Sequence, residues 1–367
     1  MSLKKGKFNH NDKYFMSLAL NLARDRAGLT GENPPVGCII VKNNEIISYG
    51  QTSINGRPHA EYNAIKSCKK NLKGSKMYVT LEPCCHFAKT PPCTNIIINS
   101  KIKEVFFSIE DPDIRTKSKS FNILKKKKIK VKTGLLKNEA KKIYKPYIYN
   151  KNNKLPFVTG KIATSKDNFI YSKNRTKISN EYSDNISHLL RFRNDSILIS
   201  NRTLNIDNPK LNCRIRGLEN FSPVKLIIDK NLKINMNSYT VKNSTKYKTV
   251  IFHNSKNIKK INNLKYYKIK LVYLDINKYG YINFKKIFLK IYDMGVHNLL
   301  VESGNTLTNN ILNEKLFNEF YLFKSSKNIN NKNAINVENI NKNLDKFFKN
   351  NKKINTYLDK DSLIHYY

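Results

Sequence analysis

Long apolar runs are missing from this chain. No stretch of 18 or more apolar residues occurs, so a membrane-spanning helix is not expected. The basic segment Met1–Lys7 has no apolar core behind it and does not read as a secretory signal. Cysteine is sparse: six in 367 residues, three of them at 84, 85 and 93. That density excludes a disulfide scaffold and points to a reducing cytoplasm with thiols left free for metal. Acidic residues number 27 against 68 basic ones, for a formal charge of +41. A basic surface attracts phosphate, yet arginine, the residue suited to bidentate phosphate contacts, is scarce beside lysine. Lysine runs through the whole chain with asparagine and isoleucine, as in Asn328-Ile329-Asn330-Asn331-Lys332-Asn333. These three share A- and T-rich codons, so compositional drift explains the charge better than dedicated nucleic-acid binding does. Anionic small molecules are steered favourably all the same.

The length leaves room for about two domains. Apolar spacing predicts a helix over 12–26, capped by Asn11 or Asp12. Strands follow at 36–41 and 45–49, joined as a hairpin across Lys42-Asn43-Asn44. A helix should begin near His59 and run to about Lys69, and a strand over 76–81 delivers Glu82-Pro83-Cys84 at its end. Strand 103–109, helix 117–126 and strand 129–133 complete an alternating α/β pattern, in which ligands lie at the carboxyl ends of strands. From 137 a connecting helix is expected to give way to a polar linker over 149–154, placing a first domain at 1–150 and a second at 151–367. In the second, strands are expected at 156–163, 195–200, 223–229, 247–252, 269–274, 297–302 and 317–323, with helices at 181–193, 283–293 and 305–313. After about 325, Asn and Lys dominate with weak periodicity, and no element is assigned.

The chemistry concentrates in Pro58-His59-Ala60-Glu61 and in Thr80-Leu81-Glu82-Pro83-Cys84-Cys85-His86, running on to Thr90-Pro91-Pro92-Cys93. His59, Cys84 and Cys93 offer one imidazole and two thiolates, three ligands for a tetrahedral Zn²⁺ with its fourth position open, as in catalytic sites. Glu61, two residues after the histidine, is placed to move protons without binding the metal. H-x-E together with P-C is the signature of zinc deaminases of nucleobases. Cys93 should begin a helix, whose dipole favours thiolate. Cys85 is a rival to Cys84 as ligand, although the residue directly after the proline fits the signature better. His86 could replace a ligand, although it is rather expected to line the pocket and contact substrate. Cys38, Cys68 and Cys213 have no partners at ligand spacing and read as ordinary thiols.

Eight residues separate Cys84 from Cys93, and this long insertion ending in T-P-P-C closely resembles the RibD family of riboflavin biosynthesis, in which a pyrimidine deaminase is joined to a reductase. Asn33-Pro34-Pro35-Val36-Gly37 is similar to the family's N-P-x-V-G substrate loop, and Asp111-Pro112 to its D-P segment. The likeness runs from about residue 12 to 325, with Ala88 where the family has Gly. Farther on, Lys161-Ile162-Ala163-Thr164-Ser165-Lys166-Asp167-Asn168 is similar to K-x-A-x-S-x-D-G, with Asn168 for the Gly. Lys177-Ile178-Ser179 stands for W-I-T, and Val301 to Leu307 for V-E-x-G-P-T-L with Asn305 for the Pro. That last strand-to-helix turn suits a phosphate. Arg191, Asp195, Thr203, Asp207, Pro209, Leu211 and Arg214 match a further block.

The resemblance implies a cytidine-deaminase-like α/β/α domain followed by a dihydrofolate-reductase-like α/β domain, with Zn²⁺ and NADPH as cofactors. It implies that Asn33 meets substrate in the first domain and that Thr203 and Asp207, with Ala163, Lys177, Gly304 and Thr306, face NADPH in the second. Arg191, Leu211 and Arg214 are implied as substrate contacts. Arg191 and Arg214 are suited to clamp a ribose phosphate, Glu302 to accept from hydroxyl donors, and Lys161 fits a place near substrate or cofactor. The implied reactions are deamination of 2,5-diamino-6-(5-phosphoribosylamino)pyrimidin-4(3H)-one and NADPH reduction of 5-amino-6-(5-phosphoribosylamino)uracil. Two alternatives stay open: a deaminase with a decayed reductase domain, suggested by Asn168, Lys177 and Asn305, and a nucleic-acid deaminase or RNA-binding protein using the basic surface. The expected partner is the small phosphoribosylaminopyrimidine, with no membrane; self-association is left open.

Overall fold

Apolar residues at helical spacing build α1 (His10–Asp25), which buries Phe15, Met16, Ala19, Leu20 and Ala23. Its cap is Asn9, ahead of the expected Asn11 or Asp12. Asn9 Oδ1 accepts from the Asp12 N–H at 2.8 Å, and the Asp12 carboxylate accepts from the Asn9 N–H at 3.1 Å, so Asp12 closes a capping box from the third helical position. The computed structural model describes residues 8–170, 178–330 and 334–367. Contacts divide the chain into two units, one ending at Lys154 and the other beginning at Leu155.

The first unit holds one five-stranded sheet in the order β2-β1-β3-β4-β5, built from β1 (Gly37–Lys42), β2 (Glu45–Gln51), β3 (Lys76–Leu81), β4 (Glu104–Ile109) and β5 (Lys130–Thr133). β1 runs antiparallel to β2 and β3, whereas β3, β4 and β5 are parallel. Helices cover both faces: α1 and α5 (Lys137–Asn153) on one, α2 (Ala60–Ser67), α3 (Cys93–Asn99) and α4 (Lys119–Lys126) on the other. Strands covered on both sides read as apolar runs, and every residue of β4 is buried. A Cβ at Gly50 of β2 would strike the backbone of Ala60 and Ala64. The glycine therefore lets α2, with His59 at its head, lie directly on the strand.

The polar stretch 149–154 is not a linker. It is the last turn of α5, which ends at Lys154 with φ +57°. Its polar side chains are held by the fold: Asn150 is buried, and Lys151 reaches Asp113, in the loop after β4, at 3.0 Å.

The second unit comprises β6 (Phe157–Thr164), α6 (Glu181–Phe192), β7 (Ser196–Ser200), α7 (Asn201–Asp207), β8 (Val224–Ile228), α8 (Tyr239–Lys242), β9 (Thr249–His253) and α9 (Ile258–Tyr266). It continues with β10 (Lys270–Tyr273), α10 (Phe284–Asp293), β11 (Asn298–Glu302), α11 (Asn305–Asn313) and β12 (Glu319–Lys324), and ends in α12 (Glu338–Phe347), β13 (Asn351–Lys353) and β14 (Ser362–Tyr366). The nine strands order as β10-β9-β8-β7-β11-β6-β12-β14-β13. All pairs are parallel up to β12, then antiparallel through β14 and β13. Ile197, Ile199, Ile227, Ile251 and Leu300 form the buried layer on one face. The Asn- and Lys-rich end, to which the sequence assigned no element, is folded: Val337, Ile340 and Leu344 are fully buried at helical spacing, and Leu363 and Tyr366 pin β14. Few apolar residues suffice there because the rest of each element faces solvent.

Candidate active sites

In the first unit, α2, the end of β3 and α3 converge. His59 is the N-cap of α2 and Cys93 the first residue of α3. Cys84 lies just beyond β3, at the carboxyl end of a strand. His59 Nδ1 stands 3.5 Å from Cys84 Sγ and 3.4 Å from Cys93 Sγ, and the three ligand atoms all lie within 4.8 Å of one another. Zn–S bonds of about 2.3 Å and a Zn–N bond of about 2.0–2.1 Å in tetrahedral arrangement require N···S separations near ~3.5 Å. The donor set fits zinc. The Cys93 thiol and the His59 imidazole draw the Cys84 thiol down to about 4, while Cys93, donating to Cys84 and buried, is pushed up. Cys85 points elsewhere, its Sγ 3.6 Å from the Arg115 carbonyl.

Glu61, in the first turn of α2, is 3% exposed, and burial pushes its carboxyl up to about 7 beside His59 and Cys93. His86 Nδ1 lies 3.1 Å from Thr116 Oγ1, and burial with the nearby Arg115 charge lowers its pKa. Asn33 packs against Gly56 on the loop leading to His59. Gly56 has φ +89°, and a Cβ there would strike Asn33 Nδ2 and the Thr30 carbonyl. Glu82 was not singled out by sequence. Its buried carboxylate accepts from the N–H groups of Asp111 at 3.2 Å, Ser118 at 3.0 Å and Ser120 at 3.2 Å, tying the 111–120 loop to the Pro83-Cys84 turn.

The second unit contains a cavity of about 460 Å³. Of the residues expected there, Ala163, Arg191, Thr203, Asp207, Leu211, Glu302, Gly304 and Thr306 line it, as does Lys161. Lys177 lies outside the described residues. Arg214 is not on the wall; its Nη1 donates to Asn212 Oδ1 at 3.0 Å. Arg191 and Glu302 form a bidentate pair, Nε to Oε1 at 2.7 Å and Nη2 to Oε2 at 2.8 Å, with Lys161 Nζ 3.9 Å from Oε2. Burial would raise the Glu302 carboxyl, but Arg191 and Lys161 hold it at about 2. The two arginines expected to clamp a phosphate are therefore not equivalent, because Arg191 spends its fork on Glu302. Asp195, from the same matched block, accepts from the N–H groups of His297 and Asn298 at 2.8 and 2.7 Å and so aligns β7 with β11. His188, also unmarked by sequence, sits one helical turn before Arg191. Its Nδ1 is 3.2 Å from the Asn212 carbonyl, and burial with the charges of Arg191 and Arg214 lowers it to about 4. The H-x-x-R spacing on one face of α6 was the available signal.

Two family models match this chain: the cytidine and deoxycytidylate deaminase zinc-binding region over residues 9–109 and the RibD C-terminal domain over residues 156–340. Riboflavin biosynthesis protein RibD of Actinobacillus pleuropneumoniae is 31% identical over 325 residues, covering 88% of this chain and 86% of that one. The RibD protein of Aquifex aeolicus is 32% identical over 318 residues, covering 86% and 87%. A diaminohydroxyphosphoribosylaminopyrimidine deaminase/5-amino-6-(5-phosphoribosylamino)uracil reductase from Thermotoga maritima, 26% identical, superposes with a TM-score of 0.82 over 97% of this chain and 98% of its own. RibD of Acinetobacter baumannii shares the fold, with a TM-score of 0.83 at 22% identity over 97% and 98%. Fold and sites together define a two-domain enzyme, a cytidine-deaminase-like α/β/α domain followed by a dihydrofolate-reductase-like α/β domain. The chain belongs to the RibD family of riboflavin biosynthesis, with a deaminase and a reductase in one polypeptide.

Proposed function

We propose that the domain at 1–150 hydrolyses the 2-amino group of 2,5-diamino-6-(5-phosphoribosylamino)pyrimidin-4(3H)-one. The domain at 151–367 then reduces the phosphoribosyl unit of 5-amino-6-(5-phosphoribosylamino)uracil to ribityl phosphate, with NADPH going to NADP⁺. The observation that carries this reading is the His59–Cys84–Cys93 triangle with the buried Glu61 carboxyl against it. His59 Nδ1 and the two sulfurs would hold Zn²⁺, which when bound lowers the pKa of water toward ~7 and supplies a nucleophile at neutral pH. Glu61, with a carboxyl near neutrality, would carry two protons in turn, the first from the attacking water to the ring nitrogen and the second from the new hydroxyl to the departing amine, which leaves as ammonia. One C–O bond forms, one C–N bond breaks, and water is consumed. Asn33 and His86 orient the ring; a neutral His86 both donates and accepts.

In the second domain, Thr203, Asp207, Ala163, Gly304 and Thr306 would hold the nicotinamide cofactor, which when bound supplies hydride. Arg202, also on the wall, favours the phosphorylated form over NADH. Leu211 and Glu302, which line the cavity, would face the sugar phosphate, and Lys161 and Arg191 keep Glu302 ionised. No helix of the described residues is long and apolar enough to cross a membrane. All six cysteines are unpaired, which supports a cytoplasmic setting. Purified enzyme given the diaminopyrimidine and NADPH should release ammonia and then oxidise NADPH. Ammonia without NADPH oxidation would reduce the function to deamination alone.

A further inference from the structure

One C-terminal helix reaches both walls of the second-unit cavity through asparagine amides. Asn341 of α12 donates its Nδ2 to Asn168 Oδ1 at 3.0 Å. Asn343, two residues on, donates to Asn309 Oδ1 at 2.9 Å, and Asn309 donates to Asn305 Oδ1 at 2.6 Å. These two paths of amides end at two of the three positions where the second domain departs from the family motifs, Asn168 standing for Gly and Asn305 for Pro. Asn168 has φ +64°, which glycine adopts freely and which strains a residue with a side chain, asparagine less than most. Asn305 opens α11, where proline would have preset φ. Both replacements give up backbone preorganisation, and both bring an amide that Gly and Pro lack. Groups on α12 and α11 use those amides.

The same C-terminal segment grips the 165–170 turn through its backbone. The Val337 N–H donates to the Asn168 carbonyl at 2.9 Å, and the Ile170 N–H to the Ile335 carbonyl at 3.1 Å. Asp167 accepts from the N–H groups of Ile329 and Asn330 at 3.0 and 2.9 Å. Ile170, Ile335 and Asn305 all line the cavity, so the clasped groups are its walls. Asn341 Oδ1 is buried with no partner among the described residues, so the bond to Asn168 is the anchoring one its amide makes.

We propose that α12 is a clasp. Asn341 and Asn343 are positioning residues that hold the 165–170 turn and the start of α11 in register, and they set how tightly the nicotinamide cofactor binds. This rests on the second domain being the reductase.

The test uses the full chain and four variants: Asn341→Ala, Asn343→Ala, Asn168→Gly and Asn168→Gly/Asn341→Ala. NADPH affinity is read by fluorescence titration, and amide exchange over 165–170 and 304–309 is read without ligand. Deamination rate serves as the folding control. One hydrogen bond corresponds to a loss of about fivefold to tenfold in affinity for each single Asn341 or Asn343 variant. kcat at saturating NADPH should hold, with faster exchange in both segments and normal deamination. The double variant should bind like Asn168→Gly alone, since no side chain remains at 168 to be held. Additive losses in the double variant, or Asn341→Ala with wild-type affinity and exchange, would overturn the clasp. If the wild-type chain binds no NADPH, the cofactor reading fails, and the exchange comparison still decides whether α12 holds the walls.

Discussion

Glu61 and Arg191 are both shielded from water, and their surroundings give them opposite fates. Glu61 has no cation to compensate it fully, and burial pushes its carboxyl up to about 7, which suits the proton-carrying role proposed for it. Glu61→Gln should keep zinc, measured by metal content, and lose at least about 10²-fold in deamination. Arg191 is instead locked to Glu302. Arg191→Met would leave the buried Glu302 with only Lys161, 3.9 Å away, to compensate it, costing about 3 kcal/mol in urea unfolding, whereas Arg191→Met/Glu302→Leu should recover most of that. His188 gives a pH signature. Its folded value of about 4 lies below the free value of 6.5, so the neutral form is the one the fold favours. That stability is complete above pH 6.5 and drains away as pH falls toward 4, because the unfolded chain then binds the proton more readily. Second-domain unfolding followed from pH 7 to 4 should show this loss, and His188→Asn should flatten it. The convergence of His59, Cys84 and Cys93 was legible because those residue types at those spacings are what a zinc site would need. Glu82 and His188 were not, since the groups they bind lie 29 to 38 and 24 residues away. The adjacent Cys84 and Cys85 were ambiguous for another reason: only the turn after Pro83 decides which sulfur faces His59.

Among the elements, the strands and longer helices near the sites could be read from periodicity. The short α7, α8 and α9 could not, because each buries a single apolar residue, Leu204, Val241 and Leu264. The final turn of α5 was hidden by its asparagines and lysines, whose partners, such as Asp113, come from another part of the chain. α12 was hidden by the same composition. Gly50 shows how one residue places an element. Gly50→Ala should push α2 off β2, lowering zinc affinity and deamination while NADPH oxidation on the deaminated intermediate stays near wild type. Equal loss of both activities would mean that α2 does more than present His59 and Glu61.

For the molecule as a whole, each unit has its own sheet and its own set of site residues. Stripping zinc with a chelator should therefore abolish deamination and leave NADPH oxidation on the uracil intermediate intact, with zinc restoring the first activity. The charge of +41 entered as an apparent pointer to nucleic acid, and neither site required it. It has a consequence at the sheet margins instead. β5 carries Lys130 and Lys132, β10 carries Lys270, and β13 is three exposed residues, two of them Lys352 and Lys353. β2, the remaining margin, is interrupted by a bulge against β1. Short, charged or kinked margins resist pairing with a neighbouring chain. The lysines at these margins thus leave a crowded cell few open strands on which one copy of the enzyme could seed a fibre with another.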